Sequence, residues 1–450
     1  MAANISQDNR TFKGEAGRFT IDASITLIAS VLQVILGVGI MVIIARTLGP
    51  FLQGVYALAI LLPSILSSFG NLGIGQASIF FIGKKKYLAK EIFTTNIILA
   101  FFLGILGFLI GLVIVLFYGE TLFPHVDKAY LMLGLFLVPI QICFSFLNRF
   151  LLGLRKIKEF NIASVLQLFS FLILVGIFLL WCKWGVKAAI SAYIISSAIG
   201  IGVSLYMSKK EIAPLRLIFN LAYFKDAFIY GFKIYVGNFL GLLRYKIDIF
   251  LVNAFLNPLA VGIYSIAVDI SEKIWLISQS AGLVLFPKVS SETDPAKIKS
   301  FTPLVCRHVL LLTLTGAIVL LVLSRFLILV FYSDKFIDSI VPFRILLIGA
   351  VTMSGSKVLS NDLYGQGRPE LNIYINIATI IINILLIVLL IPRYGIIGAA
   401  WSTTIAYSAA FLIMTVVYSK ISGNRILDVI LPKKSDFKIY KNLLFNLLRK

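Results

Sequence analysis

The chain has 450 residues, of which 59% are hydrophobic and only 14% charged, and its formal net charge is +21. Soluble domains typically have about a quarter of their residues charged, so this composition excludes a soluble globular protein and indicates a polytopic membrane protein. The positive charge does not indicate nucleic-acid binding, because the Lys and Arg residues are spread over short segments between apolar runs and are not gathered on one domain.

Apolar runs long enough to cross a bilayer as α-helices follow one another along the whole chain. Their hydrophobic residues are continuous rather than alternating, which is typical of helices and not of a membrane β-barrel. The first run is too long for a signal-peptide core, so we expect it to be retained as a span. The twelve predicted spans are 20–45, 54–82, 91–118, 130–153, 161–182, 187–207, 227–254, 260–287, 302–331, 338–364, 371–391 and 394–418.

The basic residues predict the orientation of these spans. Of the 41 Lys and Arg residues, 28 fall in segments that are inside if the N-terminus is inside, or in the span ends next to them, and seven fall in or beside outer segments. This bias predicts that both termini are cytoplasmic. The basic tail, residues 419–450, is expected to be either an interfacial helix on the inner leaflet or a frayed end.

Three pairs of segments resemble each other at offsets of 208 to 212 residues: 48–60 (LGPFLQGVYALAI) with 256–268 (LNPLAVGIYSIAV), 151–162 with 363–373, and 184–189 with 394–399. The simpler explanation of these matches is that loops between helices generally favour Gly and Pro. Three matches in the same order favour two homologous halves, 1–208 and 209–450, each of six helices. Because six is even, both halves point the same way, as in transporters with parallel repeats and a substrate site between them.

The first of these repeated segments has the composition of a structural turn. Pro50 and Pro258 are expected to stop the preceding helix or to begin the next, and Gly49 and Asn257 are expected to adopt the left-handed backbone that such a stop favours. Tyr56 and Tyr264 are expected near the outer membrane interface, where tyrosine is enriched. We therefore expect this segment to be part of the scaffold.

Charged residues within the predicted spans concentrate in the seventh and eighth, which contain Lys233, Arg244, Lys246, Asp248, Asp269, Glu272 and Lys273. Charges at membrane depth are costly and usually face a wet cavity or a partner. Four cations against three anions leave a positive excess, which favours an anionic ligand such as a phosphate or an acidic sugar over a cationic drug.

Spacing along each helix predicts partners for some of these charges. Arg244 and Asp248 are four residues apart and can pair, as can Asp269 and Lys273, so an ion-pair network is an alternative to a binding role. Arg244 lies near the middle of its span, and we therefore expect it to face a cavity.

Other charged residues have a simpler explanation. Lys233, Lys357 and Asp362 can extend to the inner membrane surface. Arg344 lies close to the outer end of its span and is expected to have no binding role.

The stretch ARTLGPFLQGVYALA (45–59), followed by FGNLGIGQA (69–77), resembles the amino-terminal signature of the polysaccharide biosynthesis membrane proteins. These are lipid-linked oligosaccharide flippases of the MOP superfamily, which also contains the multidrug-extrusion and lipid II flippase families. GQGRP at 365–369 extends the likeness to the second half. Helix one has Asp22 and Gln33 as its clear interior polar residues, whereas lipid II flippases have an arginine cluster in the first two helices, so the sugar-polymer branch is favoured.

This resemblance implies an all-α polytopic membrane protein with twelve transmembrane helices, in two six-helix bundles around a central cavity. It implies that an undecaprenyl-pyrophosphate-linked repeat unit crosses the bacterial cytoplasmic membrane by alternating access. We expect the diphosphate to be bound by Arg244, Lys246, Lys233 and Lys273. The candidates for proton or sodium coupling are Asp248, Asp269 and Glu272.

No cofactor or metal site is expected, since the three Cys and two His residues show no metal-ligand spacing. The expected partners are the lipid-linked substrate, membrane lipid and a polysaccharide polymerase.

Two other functions fit part of the sequence. A small-molecule or multidrug antiporter of the same superfamily would use the acidic residues of spans seven and eight. A membrane-embedded glycosyltransferase or polymerase would need an outer loop with catalytic side chains, and the segment 118–130 offers Glu120, His125 and Asp127. No nucleotide-binding loop of the Walker type is present.

Overall fold

A computed structural model describes residues 2–214, 218–291, 294–433 and 436, and within these ranges it is helical with no β-strand. Segments of 3-10 helix lie at Lys273–Trp275 and Asp334–Ser339, and π-helical turns lie at Ile177–Trp181 and Ile328–Tyr332. The helices are α1 (Ala2–Gly70), α2 (Ile74–Gly83), α3 (Ala89–Leu122), α4 (Lys128–Leu135), α5 (Leu137–Gly153), α6 (Ile157–Gly176), α7 (Val186–Ile212), α8 (Leu221–Phe255), α9 (Pro258–Glu272), α10 (Leu276–Ser291), α11 (Pro295–Leu327), α12 (Ile340–Gly365), α13 (Pro369–Ser422) and α14 (Ile426–Ile430).

Eight helices in the described residues are long and apolar enough to cross a membrane, so the protein is an all-helical multi-pass membrane protein. Of these eight, α13 contains two of the predicted spans, 371–391 and 394–418, and α1 contains the span 20–45 and the first part of the span 54–82. The backbone of α1 breaks at Gly49 (φ 72°), just before Pro50, and that of α13 breaks at Gly395 (φ 58°). The positive φ predicted for Gly49 is therefore confirmed, while the count of twelve spans stays a prediction.

The chain forms two compact units. One comprises the chain up to Leu52 together with Leu58–Tyr235, and the other comprises Gln53–Ala57 together with the chain from Val236. The halves 1–208 and 209–450, which rest on the sequence repeats, stay a prediction.

In the first unit, buried polar side chains attach the beginning of α8 to α2 and α3. The Tyr223 hydroxyl donates to Asn96 Oδ1 at 3.0 Å, and Asn96 Nδ2 donates to Ser78 Oγ at 2.7 Å. Beside this cluster, Asp226 accepts hydrogen bonds from the Lys86 ammonium and the Tyr87 hydroxyl. The aromatic ring of Tyr223 is fully buried in the core of this unit.

In the second unit, the segment Gln53–Ala57 packs against the beginning of α9. A Cβ added to Gly54 would lie 1.7 Å from the Pro258 carbonyl oxygen and 2.8 Å from the Gly262 nitrogen. Pro258 begins α9, as predicted, but Asn257 has extended backbone (φ −167°), so its predicted left-handed conformation is wrong. Its side chain instead accepts a hydrogen bond from the Ala260 N–H at 3.0 Å, which caps the helix.

The C-terminal tail is docked onto the second unit as far as it is described. Val429 of α14 is buried in the core of this unit. The Arg307 guanidinium donates from Nε and Nη2 to the two oxygens of Asp436, at 2.6 and 2.9 Å, and both side chains are buried. The described part of the tail is therefore not frayed, and its interfacial position stays a prediction; residues 434, 435 and 437–450 lie outside the described residues.

Candidate functional site

A cavity of about 530 Å³ lies within the second unit and is lined by α8, α10, α12 and α13 and by the end of α9. The charged side chains that line it are Arg244, Lys246, Lys357 and Glu272. Three cations against one anion give the cavity a positive excess, which suits an anionic ligand.

Arg244 is the most buried of the three cations, with 6% of its surface exposed. Its Nη2 donates to the Tyr245 hydroxyl at 2.7 Å, and its Nε has no hydrogen-bond partner within the described residues. No ion pair joins Arg244 to Asp248 in that part of the chain, so the predicted helical pair does not form. A buried guanidinium with no carboxylate partner is costly, and an incoming anion would compensate for it.

Lys357 lies against aromatic rings at the cavity wall. Its Nζ is 4.1 Å from the ring centroid of Trp275 and 5.0 Å from that of Tyr245. The Trp275 ring is held by a hydrogen bond from Nε1 to the Ala350 carbonyl at 3.0 Å. Cation–π contacts of this kind hold the ammonium in place without neutralising its charge. The expectation that Lys357 extends to the inner surface is therefore wrong.

The sequence contains a signal that marks Lys357 as a site residue. On α12 the cavity is lined by residues at helical spacing that are mostly polar or charged, namely Met353, Ser356, Lys357, Ser360, Asn361 and Tyr364. A polar stripe of this kind on an apolar span indicates a face that is turned away from lipid.

Glu272 is the only anion among the charged residues that the structure describes at the cavity. It is the last residue of α9, and the 3-10 turn that follows changes the direction of the helix. Its Oε1 is buried with no hydrogen-bond partner in the described part of the chain. Lys246 lines the same cavity. The carboxylate is therefore available to a proton, a cation or a donor on a ligand.

Asp248 does not line the cavity but is completely buried behind it. Its carboxylate accepts hydrogen bonds from the Tyr264 hydroxyl at 2.9 Å and the Thr403 hydroxyl at 3.4 Å, and from the Ile249 N–H at 2.8 Å. Tyr264 is therefore buried, and Tyr56 is only 4% exposed; their placement near the outer interface stays a prediction.

Two of the remaining predicted site residues, Asp269 and Lys273, do not line this cavity. Lys273 is exposed in the 3-10 turn after α9, and Asp269 is partly buried on α9. Lys233 lies in α8, but its side chain is outside the described part of the structure.

Two other charged residues lie elsewhere in the second unit. Asp362 is fully buried and accepts hydrogen bonds from Thr302 and Gln366, so the expectation that it extends to the membrane surface is wrong. Arg344 is exposed and donates to Ser324 Oγ at 2.8 Å. Arg344 does not line the cavity.

The profile of the family described as "Polysaccharide biosynthesis protein" matches residues 20–292, more than half of the chain. The chain belongs to this polysaccharide biosynthesis family. The resemblance seen in residues 45–59 and 69–77 is thereby confirmed, and the match extends through α9 to the end of α10.

Relatives of this polysaccharide biosynthesis family member cover most of its length. A Shigella flexneri protein named "Putative O-antigen transporter" is 23% identical over 389 residues, which are 82% of this chain and 90% of that protein. The lipid II flippase MurJ, in an inward closed conformation, has a TM-score of 0.74 at 18% identity, with 89% of this chain and 88% of MurJ covered. An inward-facing multidrug resistance MATE transporter of the MOP superfamily has a TM-score of 0.72 at 16% identity, covering 87% and 94%. The fold is therefore that of MurJ and MATE proteins.

Proposed function

We propose that this protein is a flippase that moves an undecaprenyl-pyrophosphate-linked oligosaccharide across the bacterial cytoplasmic membrane, for surface polysaccharide synthesis, by alternating access. The observation that carries the proposal is the cationic cavity, in which Arg244, Lys246 and Lys357 would bind the diphosphate. The names of the relatives, a transporter and a flippase, support it. Lys357 therefore replaces Lys273 among the residues proposed to bind the diphosphate, and Lys233 stays a candidate for the same role.

The proposed flippase has the architecture expected from the sequence. Twelve spans in two parallel six-helix halves, with both termini cytoplasmic, would allow the halves to rock about a site near the membrane midplane. Such a protein is a transporter and not an enzyme, and a polysaccharide polymerase would use the translocated product.

The coupling of transport to an ion is a separate part of the proposal. Of the carboxylates Asp248, Asp269 and Glu272, Glu272 is the best placed, because it lines the cavity and its Oε1 has no partner within the described residues. Asp248 is already bound by three donors.

Replacing the buried guanidinium tests the proposed site. In a host strain from which the gene has been deleted, Arg244→Gln is expected to lower surface polysaccharide roughly tenfold or more, because a hydrogen-bonded charge partner of the diphosphate is lost. The measurement is the amount of polymer on intact cells at matched membrane levels of the protein.

Arg344→Gln is the matched control, because Arg344 is exposed and does not line the cavity. Polymer should stay at the wild-type amount in this variant. Normal polymer in Arg244→Gln cells would refute the assignment of the diphosphate to this cavity.

A further inference from the structure

The cavity has two chemically different ends. The OH of Tyr364 is 3.6 Å from a Cβ placed on Gly237, whereas Lys357 Nζ lies near the Tyr245 ring. Residue numbers therefore rise along α8 as they fall along α12, and the two helices are antiparallel here. Lys357 and Tyr364 are seven residues apart, so the two ends are about 10 Å apart along α12.

We name the two ends by their side chains. The cationic end consists of Arg244, Tyr245, Lys246, Glu272 and Lys357. The amide end consists of Asn238, Asn361, Asn372 and Asn376, with Ser360 and Tyr364 beside them. All four charged residues that line the cavity belong to the cationic end, and the amide end is neutral in the described residues.

Two carboxamides at the amide end have unused hydrogen-bonding capacity. Asn238 is exposed to the cavity, and its side chain forms no hydrogen bond within the described residues. Asn361 Nδ2 donates a hydrogen bond to the Lys357 carbonyl at 2.8 Å, and Asn361 Oδ1 accepts none from the described residues. A carboxamide offers two donors and one acceptor oxygen, so these groups can bind a ligand that both donates and accepts.

The ligand that fits this chemistry is an uncharged polyhydroxylated group. A diphosphate binds cations more strongly than neutral carboxamides, and three cations lie at the cationic end. We propose, on the basis of the flippase function above, that the amide end binds the sugar attached to the diphosphate, and that this sugar is uncharged. Its hydroxyl groups, and an acetamido group where present, would hydrogen-bond to Asn238 and Asn361.

Binding to the purified full-length protein in lipid nanodiscs tests this assignment. The two probes are a prenyl diphosphate without sugar and the same prenyl diphosphate carrying N-acetylglucosamine. The wild type is expected to bind the sugar-bearing probe about tenfold more tightly, the factor expected for one or two hydrogen bonds between uncharged groups.

The nearly isosteric variant Asn238→Leu removes the exposed carboxamide of the amide end and is expected to lose most of this preference. Its affinity for the sugar-free probe should not change. Asn238→Gln, which keeps an amide, is the matched control and should retain most of the preference. The unfolding midpoint without ligand shows whether each variant is folded.

Arg244→Gln separates this proposal from the flippase proposal, because it should weaken both probes by the same factor. A tenfold preference that survives in Asn238→Leu, or no preference in the wild type, would overturn the sugar assignment alone. Failure of the wild type to bind either probe would instead count against the proposed flippase function, and the sugar assignment would fall with it.

Discussion

At the scale of single residues, Asp248 shows how a carboxylate can be held inside an apolar helix bundle without an ion pair. Three donors reach it, and the Tyr264 and Thr403 hydroxyls are also 3.1 Å from each other. Since these hydrogen bonds come from different elements, the carboxylate joins α8, α9 and α13. Asp248 therefore does not pair with Arg244, and the Arg244 charge can interact with a ligand in the cavity.

Removing one hydroxyl from this cluster is expected to destabilise the protein. Tyr264→Phe deletes a donor to a fully buried carboxylate, which should lower the free energy of unfolding by roughly 1–3 kcal/mol. Denaturant or thermal unfolding in detergent micelles measures the change. The control is Tyr374→Phe, because Tyr374 is 66% exposed, and it should unfold like the wild type. Equal stability of the two variants would show that the hydrogen bond to Asp248 adds nothing.

At the scale of elements, the repeated segment is a packing surface. Its first copy supplies Gln53–Ala57, and its second copy begins α9 with the Asn257 cap. The two copies touch at Gly54 and Pro258, where the absence of a side chain lets the backbones approach closely. Glycine is needed here for close approach, because its helical backbone would otherwise accept alanine.

Gly54→Ala is therefore expected to be strongly destabilising. The added methyl group would lie 1.7 Å from a backbone oxygen, so a helix has to shift, and overpacking of this kind costs roughly 1–3 kcal/mol or more. Gly37→Ala in α1 is the control, because a Cβ placed on Gly37 has no atom within 4 Å and alanine favours helix by about 1 kcal/mol. Unfolding of both variants in micelles measures the contrast, and a stable Gly54→Ala protein would contradict the close approach.

At the scale of the whole molecule, the C-terminal tail is part of the second unit as far as Asp436. The Arg307 guanidinium lowers the pKa of the Asp436 carboxyl group below its ordinary value by donating hydrogen bonds to it. A lowered carboxyl pKa in the folded state stabilises docking above the ordinary pKa of about 4. This contribution is lost as the pH falls through the lower folded value.

The tail is therefore expected to stay docked at neutral pH and to be released by acid or by Asp436→Asn. The substitution leaves a buried guanidinium without its carboxylate, so limited proteolysis of the tail should become roughly tenfold faster or more. Asp428→Asn is the control, because the Asp428 side chain is 39% exposed and pairs with Lys433 at the surface. Equal cleavage rates in the two variants would rule out the Arg307 contact as the anchor.

Hydropathy, charge and local motifs in the sequence were enough to predict an all-helical multi-pass membrane protein, its family, and a positive excess around α8 and α9. The reason is that transfer of side chains into lipid and the cost of intramembrane charge are properties of individual residues and short segments. Pro258 at the start of α9 was predictable for the same reason, because proline acts on its own helix turn.

The tertiary structure decided which side chains meet. The spacing of Arg244 and Asp248 allows an ion pair on α8. Packing against α9 and α13 instead places the Tyr264 and Thr403 hydroxyls as donors to Asp248, and Arg244 lines the cavity. Packing also brought Lys357 to the rings of Trp275 and Tyr245. Such contacts join residues far apart in the chain, and their choice depends on helix rotation and close packing, which a local pattern does not encode.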